Sequence, residues 1–359
     1  DYRLTNLNSG SRVGTFMYAH DGTELSYNDL TIPGGGIGSD PILSATLTGS
    51  IVSLDIENAA GFNFTGYAKK FNKLGAPIPI ANPNAPIPLL DTYNNAEAAF
   101  SLRKLSTLHT GSAIRVREDG FDTEIDIGFD INNNLDTSTL SAHCGSNNGY
   151  VVTWYDQSGN NNDATQTAAA NQPQIVSNGN VIFEGGNPAI QGTNSSKLLL
   201  NSTIELSSEF SHFTLCTTVG TDNPWGGDAS GAEQTTWVYF SNINTNWRLI
   251  NSTGLYSYSI PNIPGGTLVL QNHIRSTNNS TPLYLNGDIT NSPTVNGTFY
   301  VKVIMGSNWF NYAGRAQEII FYKSDQSSNR EGIETNINTH YNIYDTGLLA
   351  EYSGAAAAY

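Results

Sequence analysis

Short runs of alternating apolar and polar residues, broken by Gly, Asn and Pro, fill most of the chain. Ile51-Val52-Ser53-Leu54-Asp55-Ile56 carries a mostly apolar face, Ile114-Arg115-Val116-Arg117 alternates, and Tyr150-Val151-Val152-Thr153-Trp154-Tyr155 is aromatic and β-branched. A period of two sends side chains to opposite faces, and these residue types fit a pleated, half-buried surface, so each run predicts a strand. Phe213-Thr214-Leu215, Thr236-Trp237-Val238-Tyr239-Phe240, Leu283-Tyr284-Leu285 and Tyr300-Val301-Lys302-Val303-Ile304-Met305 continue the pattern. Asn286-Gly287 directly after Leu285 predicts a hairpin, because a two-residue turn of this kind needs positive φ at both positions. Two segments read as helices: Asn94 to Leu105, rich in Ala, Leu and Glu, and Ser327 to Tyr341, where Ser328 caps and Glu331 follows three residues on. Many short strands beside few helices predict an all-β chain built as a sandwich or jelly roll.

The pattern breaks once. Five prolines between Pro77 and Pro88 lack the N–H that a strand ladder needs, and they favour an extended, semi-rigid spacer over 76–88. The expected order is therefore a smaller β-rich domain at 1–75 for anchoring or assembly, the spacer, and a sandwich at 89–345. Residues 346–359 read as the start of a second copy, because Leu89-Leu90 through Phe100 recurs as Leu348-Leu349 through Tyr359 at a constant offset of 259. That period is too long for a solenoid and fits modules in tandem.

Composition narrows the function. Only 13% of residues are charged while 10% are aromatic, which is the signature of a folded chain with a neutral polar surface. Thirty-one acids against 16 bases give a net charge of -15, and no basic run offers a grip on nucleic acid. No apolar stretch is long enough to span a membrane as a helix. Cys144 and Cys216 have no second Cys or His at ligand spacing, and they read as unpaired thiols or one disulfide rather than a zinc site. His143 and Cys144, taken as strand neighbours, would point to opposite faces. Asp156, Asn160, Asn162 and Asp163 place four oxygen-bearing side chains within eight residues. That set suits either a calcium loop or a tight loop closed by Asx turns without metal. No other cofactor is expected.

Residues 89 to 344 resemble a known family at several separated points. Ala98-Ala99-Phe100-Ser101-Leu102-Arg103-Lys104-Leu105, Ala113-Ile114-Arg115-Val116-Arg117, Asp126-Ile127-Gly128-Phe129 and Trp154-Tyr155-Asp156-Gln157-Ser158-Gly159-Asn160 look like the catalytic domain of α-L-arabinofuranosidase B. They look still more like the concanavalin/laminin-G-like modules of bacteriophage structural proteins and bacterial surface proteins. The stretch Ala316 to Tyr322, with Glu334 to Tyr341 after it, resembles the last strand and terminal helix of such modules. The resemblance implies a concanavalin-like β-sandwich.

The resemblance also implies where an arabinofuranosidase would keep its two acids, within Trp247 to Tyr256 and at Gly306 to Trp309. Retaining glycosidases need both carboxyl groups. Residues 245–256 and 300–317 contain neither Asp nor Glu; Ser252 and Ser307 stand nearest the implied positions. The expectation is a protein without that chemistry, with Trp247, Tyr256, Asn308 and Trp309 left as candidate glycan contacts. Three functions are consistent with this: a phage virion component (head fibre, capsid decoration or tail fibre), a bacterial surface adhesin or filament subunit, or a glycoside hydrolase with relocated acids. Expected partners are other virion or surface proteins through 1–75, cell-surface polysaccharide, and further copies of the chain. The expected location is a virion or cell surface.

Overall fold

In a computed structural model of the chain, the described residues are the backbone strands within 1–79, and 87–344 apart from 194, 218–223, 228–236, 242–245, 261–262 and 307–311. The recurrence at 346–359 lies outside them. The chain divides into two compact units, residues 1–86 with 130–132, and residues 87–129 with 133–359.

The first unit holds an antiparallel sheet in the order Leu25–Tyr27, Arg12–Tyr18, Tyr2–Ser9, Tyr67–Phe71 and Pro77–Pro79. Ile51–Glu57, a strand as its apolar face predicts, pairs separately with Ile42–Thr48. Pro77–Pro79, expected in a spacer, instead forms an edge strand against Tyr67–Phe71. Proline is tolerated there because one side of an edge strand makes no ladder bonds.

The second unit is strand-dominated and antiparallel throughout, arranged as a β-sandwich. Its first sheet runs Ala98–Ser101, Arg315–Tyr322, Phe210–Thr217, Leu268–Arg275, Leu283–Leu285 and Asp288–Ile289. The second runs Glu124–Ile127, Ile114–Glu118, Gly149–Trp154, Ala164–Thr165, Leu198–Leu206, Phe299–Ile304, Trp225–Gly226, Trp237–Ser241, Asn246–Asn251 and Gly254–Ser259. Ile190–Gln191 bridges the two by pairing with Arg315–Tyr322 and with Gln174–Ser177. The Asn286-Gly287 hairpin forms as expected, with φ of 51° and 88° and Leu285 paired to Asp288.

Residues 94–105 are not a helix. Ala98–Ser101 is a strand buried at every position, pairing with Arg315–Tyr322, and only Leu89–Thr92 before it makes a helical turn. Helix propensity is a local preference of under 1 kcal/mol per residue, and burial of both strand faces outweighs it. Conversely, Thr137–Cys144 is a helix, N-capped by Asp136, whose carboxylate accepts from the Thr139 N–H. His143 and Cys144 are therefore helix neighbours, and both cysteines are free and buried.

The first sheet is covered on both sides. Its inner face (Phe210, Cys216, Val269, Ile319, Phe321) joins the core between the sheets. Its outer face (Phe213, Leu215, Leu270, Ile274, Ile320, Tyr322) packs against Leu89, Leu90 and the helix Arg330–Tyr341 through Ile333, Ile337 and Tyr341. The spacing of those helix residues, i, i+4, i+8, makes one apolar stripe. The helix begins at an N-cap Asn329 with no side-chain cap, so the expected Ser328 box does not form.

A buried ion pair fastens the helix to the sheet. Arg103 Nε and Nη2 bond Glu318 Oε2 and Oε1 at 2.8 and 2.9 Å. Ser101 and Tyr341 hydroxyls also reach Glu318, at 2.8 and 3.2 Å, and Arg103 Nη1 donates to Asn336 Oδ1. Every strong polar group of the cluster is met.

Candidate functional site

Tyr155-Asp156-Gln157-Ser158-Gly159-Asn160 follows the central strand Gly149–Trp154 and turns under the buried strand Ala98–Ser101. Asp156 Oδ1 accepts from the N–H groups of Ala99 and Ser158, at 2.8 and 2.9 Å. Its Oδ2 accepts from Ser158 Oγ and the Asn162 N–H, at 2.8 and 3.0 Å. Gln157 accepts from Leu105 N and donates to the carbonyls of Ser101 and Arg103. Asn160 and Asn162 aim their amide nitrogens at the carbonyls of Ala96 and Glu97. These residues do not fit a calcium site. Four donors already face Asp156, and a cation would meet amide N–H groups from Asn160 and Asn162 instead of lone pairs. Their work is to clamp the first strand.

The outer side of the same loop lines an open depression of about 570 Å³ together with 106–112 and Asp126. Tyr155 and His109 offer ring surface, Leu108 stands exposed at its wall, and Ser106, Thr110, Ser112, Ser158 and Asn161 supply neutral polar groups. Asp126 is held by a bidentate bond from Arg115, at 2.8 and 2.9 Å, and accepts the Tyr155 hydroxyl at 2.7 Å. The guanidinium bond, with help from that hydroxyl, keeps the Asp126 carboxyl below the ordinary range despite partial burial. Tyr155 is pushed up to about 12 by burial and by its bond to Asp126. Asp163 is shifted the other way: burial raises it and the neighbouring Asp156 charge adds to this, against the Asp156 N–H bond that opposes it. The depression is thus polar and net acidic, with hydroxyl, amide and carboxylate groups around ring faces. Such a surface carries the groups needed to hydrogen-bond and stack against a polyhydroxylated ligand.

The sequence expectation put glycan contacts elsewhere. Trp247 is 2% exposed and belongs to the core between the sheets, so its ring is not offered to a sugar. Tyr256 is half-buried opposite Leu249, and its hydroxyl bonds Thr253 and Asn296 at the tip of the hairpin. Ser252 lies in the exposed turn of that hairpin. Asn308 and Trp309 fall outside the described residues, as does Ser307. Asp156 and Asp163 do line the depression, together with Tyr155, while Asn160 and Asn162 face the first strand. The 106–112 loop and Asp126 lie outside the candidates the sequence offers: nothing in 106–112 distinguishes it from an ordinary turn, and Asp126 stands out only as part of the Asp126-Ile127-Gly128-Phe129 resemblance.

Among the described residues no group of three or more His, Cys, Asp or Glu side chains is placed to hold a metal ion. No helix among them is long and apolar enough to cross a membrane. No family model and no curated protein matches the chain. Solved structures do. A GH54 α-L-arabinofuranosidase mutant soaked with 4-nitrophenyl α-L-arabinofuranoside superposes with a TM-score of 0.54 at 15% identity, covering 67% of this chain and 62% of that one. An arabinofuranosidase complexed with arabinofuranosyl-α-1,2-xylobiose gives 0.49 at 16% identity over the same shares. The binding domain of Paraclostridial Mosquitocidal Protein 1 gives 0.36 at 14%, covering 53% of this chain and 50% of that one. The chain thus spans less than two thirds of the arabinofuranosidases it matches, and the likeness at these identities is one of fold: a β-sandwich of the arabinofuranosidase kind.

Proposed function

We propose that this protein is a non-catalytic, carbohydrate-binding β-sandwich of concanavalin-like type, acting at a surface as an adhesin or filament subunit. One observation carries the reading. The two segments that resemblance marks for the acids of an arabinofuranosidase, 247–256 and 306–309, hold no carboxylate, nor do the surrounding stretches 245–256 and 300–317, on a scaffold of that fold. A hydroxyl cannot take the part of an ionised carboxylate beside an oxocarbenium centre, so sugar recognition without bond cleavage is what such a scaffold retains. The depression beside Tyr155 is the place for it, since it joins ring faces to side chains that hydrogen-bond hydroxyls.

The test is a glycan array probed with the purified chain, alongside an assay for 4-nitrophenol release from 4-nitrophenyl α-L-arabinofuranoside. Retention on a polysaccharide, about tenfold weaker for Tyr155→Ala, and no release are expected, the tenfold loss corresponding to about 1.4 kcal/mol. Release that disappears in Asp163→Asn would instead assign relocated acids and end the non-catalytic reading. A second reading, a bacteriophage head fibre, capsid decoration or tail fibre, draws on the motif resemblance to phage modules and on the recurrence of 89–100 at 348–359. Antibody labelling of virions against labelling of bacterial surfaces separates the two.

A further inference from the structure

The inner face of the first sheet carries a polar patch where an apolar one would be expected. His212 and Thr214 on Phe210–Thr217 lie directly opposite His273 and Gln271 on Leu268–Arg275. All four are 0% exposed. His212 Nε2 and His273 Nδ1 are 2.8 Å apart, and Thr214 Oγ1 lies 3.3 Å from His212 Nδ1. Rings close over the pair: Trp225 from the second sheet at 4.8 Å from His212, and Tyr258 at 4.7 Å from His273.

The chain of bonds then stops. Among the described residues, His273 Nε2, both amide atoms of Gln271 and the Trp225 Nε1–H have no hydrogen-bond partner. Each such group costs about 1–3 kcal/mol if it is left unmet, so four in one patch would consume a large part of a domain's net stability. Tyr258 cannot help, because its hydroxyl donates to the Thr281 carbonyl. The patch offers a fixed donor at Trp225, a donor and an acceptor at Gln271, and at His273 whichever role its tautomer leaves. A water that accepts from His273 Nε2–H and donates to the Gln271 amide oxygen meets the two groups that lie side by side on Leu268–Arg275, and buried water is commonly found against such otherwise unmet polar groups.

We propose that the sandwich holds a built internal water site between its sheets, ligated by His273 Nε2 and the Gln271 amide, which lie two residues apart on the same face of one strand. The water extends the chain Thr214–His212–His273 by one member and fixes the direction in which its protons point. With both imidazoles neutral, one proton lies between the rings, so a water accepting from His273 Nε2–H orients Thr214 as donor to His212. A crystal structure of the full chain that resolves ordered solvent tests this. Water within about 3.2 Å of His273 Nε2 and of a Gln271 amide atom is expected, and a dry patch overturns the assignment. Gln271→Met keeps the shape and removes both polar atoms. In a hydrated site this variant strands the water and lowers Tm. In a dry site it removes two orphaned groups and raises it, so a Tm that holds or rises also overturns the proposal.

Discussion

Arg103, Glu318 and Tyr341 on one face, and His212, His273 and Gln271 on the other, are polar inclusions in the same sheet, bounded by opposite kinds of neighbour. The outer cluster meets a helix, and the helix supplies what is missing: the Tyr341 hydroxyl reaches Glu318 and the Asn336 amide oxygen takes Arg103 Nη1. The inner cluster meets a second sheet that presents Trp225 and Tyr258, rings with one polar atom each. The outer cluster is therefore satisfied by protein groups, and the inner one is complete only with a solvent molecule. A helix can bring a polar side chain every turn to a chosen spot, whereas a facing sheet contributes whatever its alternation dictates.

The contrast can be broken most sharply at the ion pair. Arg103→Met leaves Glu318 as a buried carboxylate without its counter-charge, and a loss of about 3–5 kcal/mol is expected in denaturant unfolding. Adding Glu318→Leu to it removes the stranded charge and restores most of that loss, because apolar replacements of a buried pair are often neutral. No such rescue is expected on the inner face.

Lowering the pH separates the faces next. Burial lowers His212 to about 3, and His273 well below its ordinary value, with the neighbouring His212 adding to the effect. The unfolded chain therefore binds protons on these rings from about pH 6.5 downward while the folded chain does not. Stability from the neutral imidazoles is full above that value and drains as pH falls towards 3, the unfolded state being the one that takes up protons. Unfolding free energy followed between pH 7 and 3 should decline, and His212→Phe should flatten the decline; an unchanged slope would mean that the rings titrate normally. The smallest effect is expected at Asn272→Leu, which removes a 2.7 Å bond to Glu334 that Arg330 also contacts. A loss of about 1 kcal/mol by calorimetry is expected.

Where local chemistry decides the backbone, the sequence is explicit. Asn286-Gly287 forms its hairpin because few residues other than Asn and Gly accept positive φ twice in a row, and the alternation of Ile114 to Arg117 appears intact as buried and half-buried positions. Where the decision is tertiary, local text misleads. Ala98–Ser101 has helix-forming composition and becomes a strand because Arg315–Tyr322, more than 200 residues away, offers it a ladder. Trp247 and Tyr256 share one face of one hairpin, yet Trp247 is core while Tyr256, nearer the turn, is half-buried at the edge of that core, and no local pattern announces where along a hairpin the covering ends. The depression draws on 106–112, Asp126 and 155–163, and only the fold brings these stretches together.

The placing of Leu89–Thr92 beside the closing helix has a mechanical consequence. Asn336 Nδ2 bonds the Ile87 carbonyl, and Tyr93 Oη lies against Gly332, so the segment that leads into the first strand is pinned to the closing helix. Tension applied to that segment, once those contacts yield, arrives at the strand from its Ala98 end, and an antiparallel ladder loaded from one end opens rung by rung, like a zip, instead of sharing the force. The first catches behind it are the Asp156 bond to Ala99 and, a few residues on, the Arg103–Glu318 clasp, and those determine how hard a tether can pull before the strand peels away.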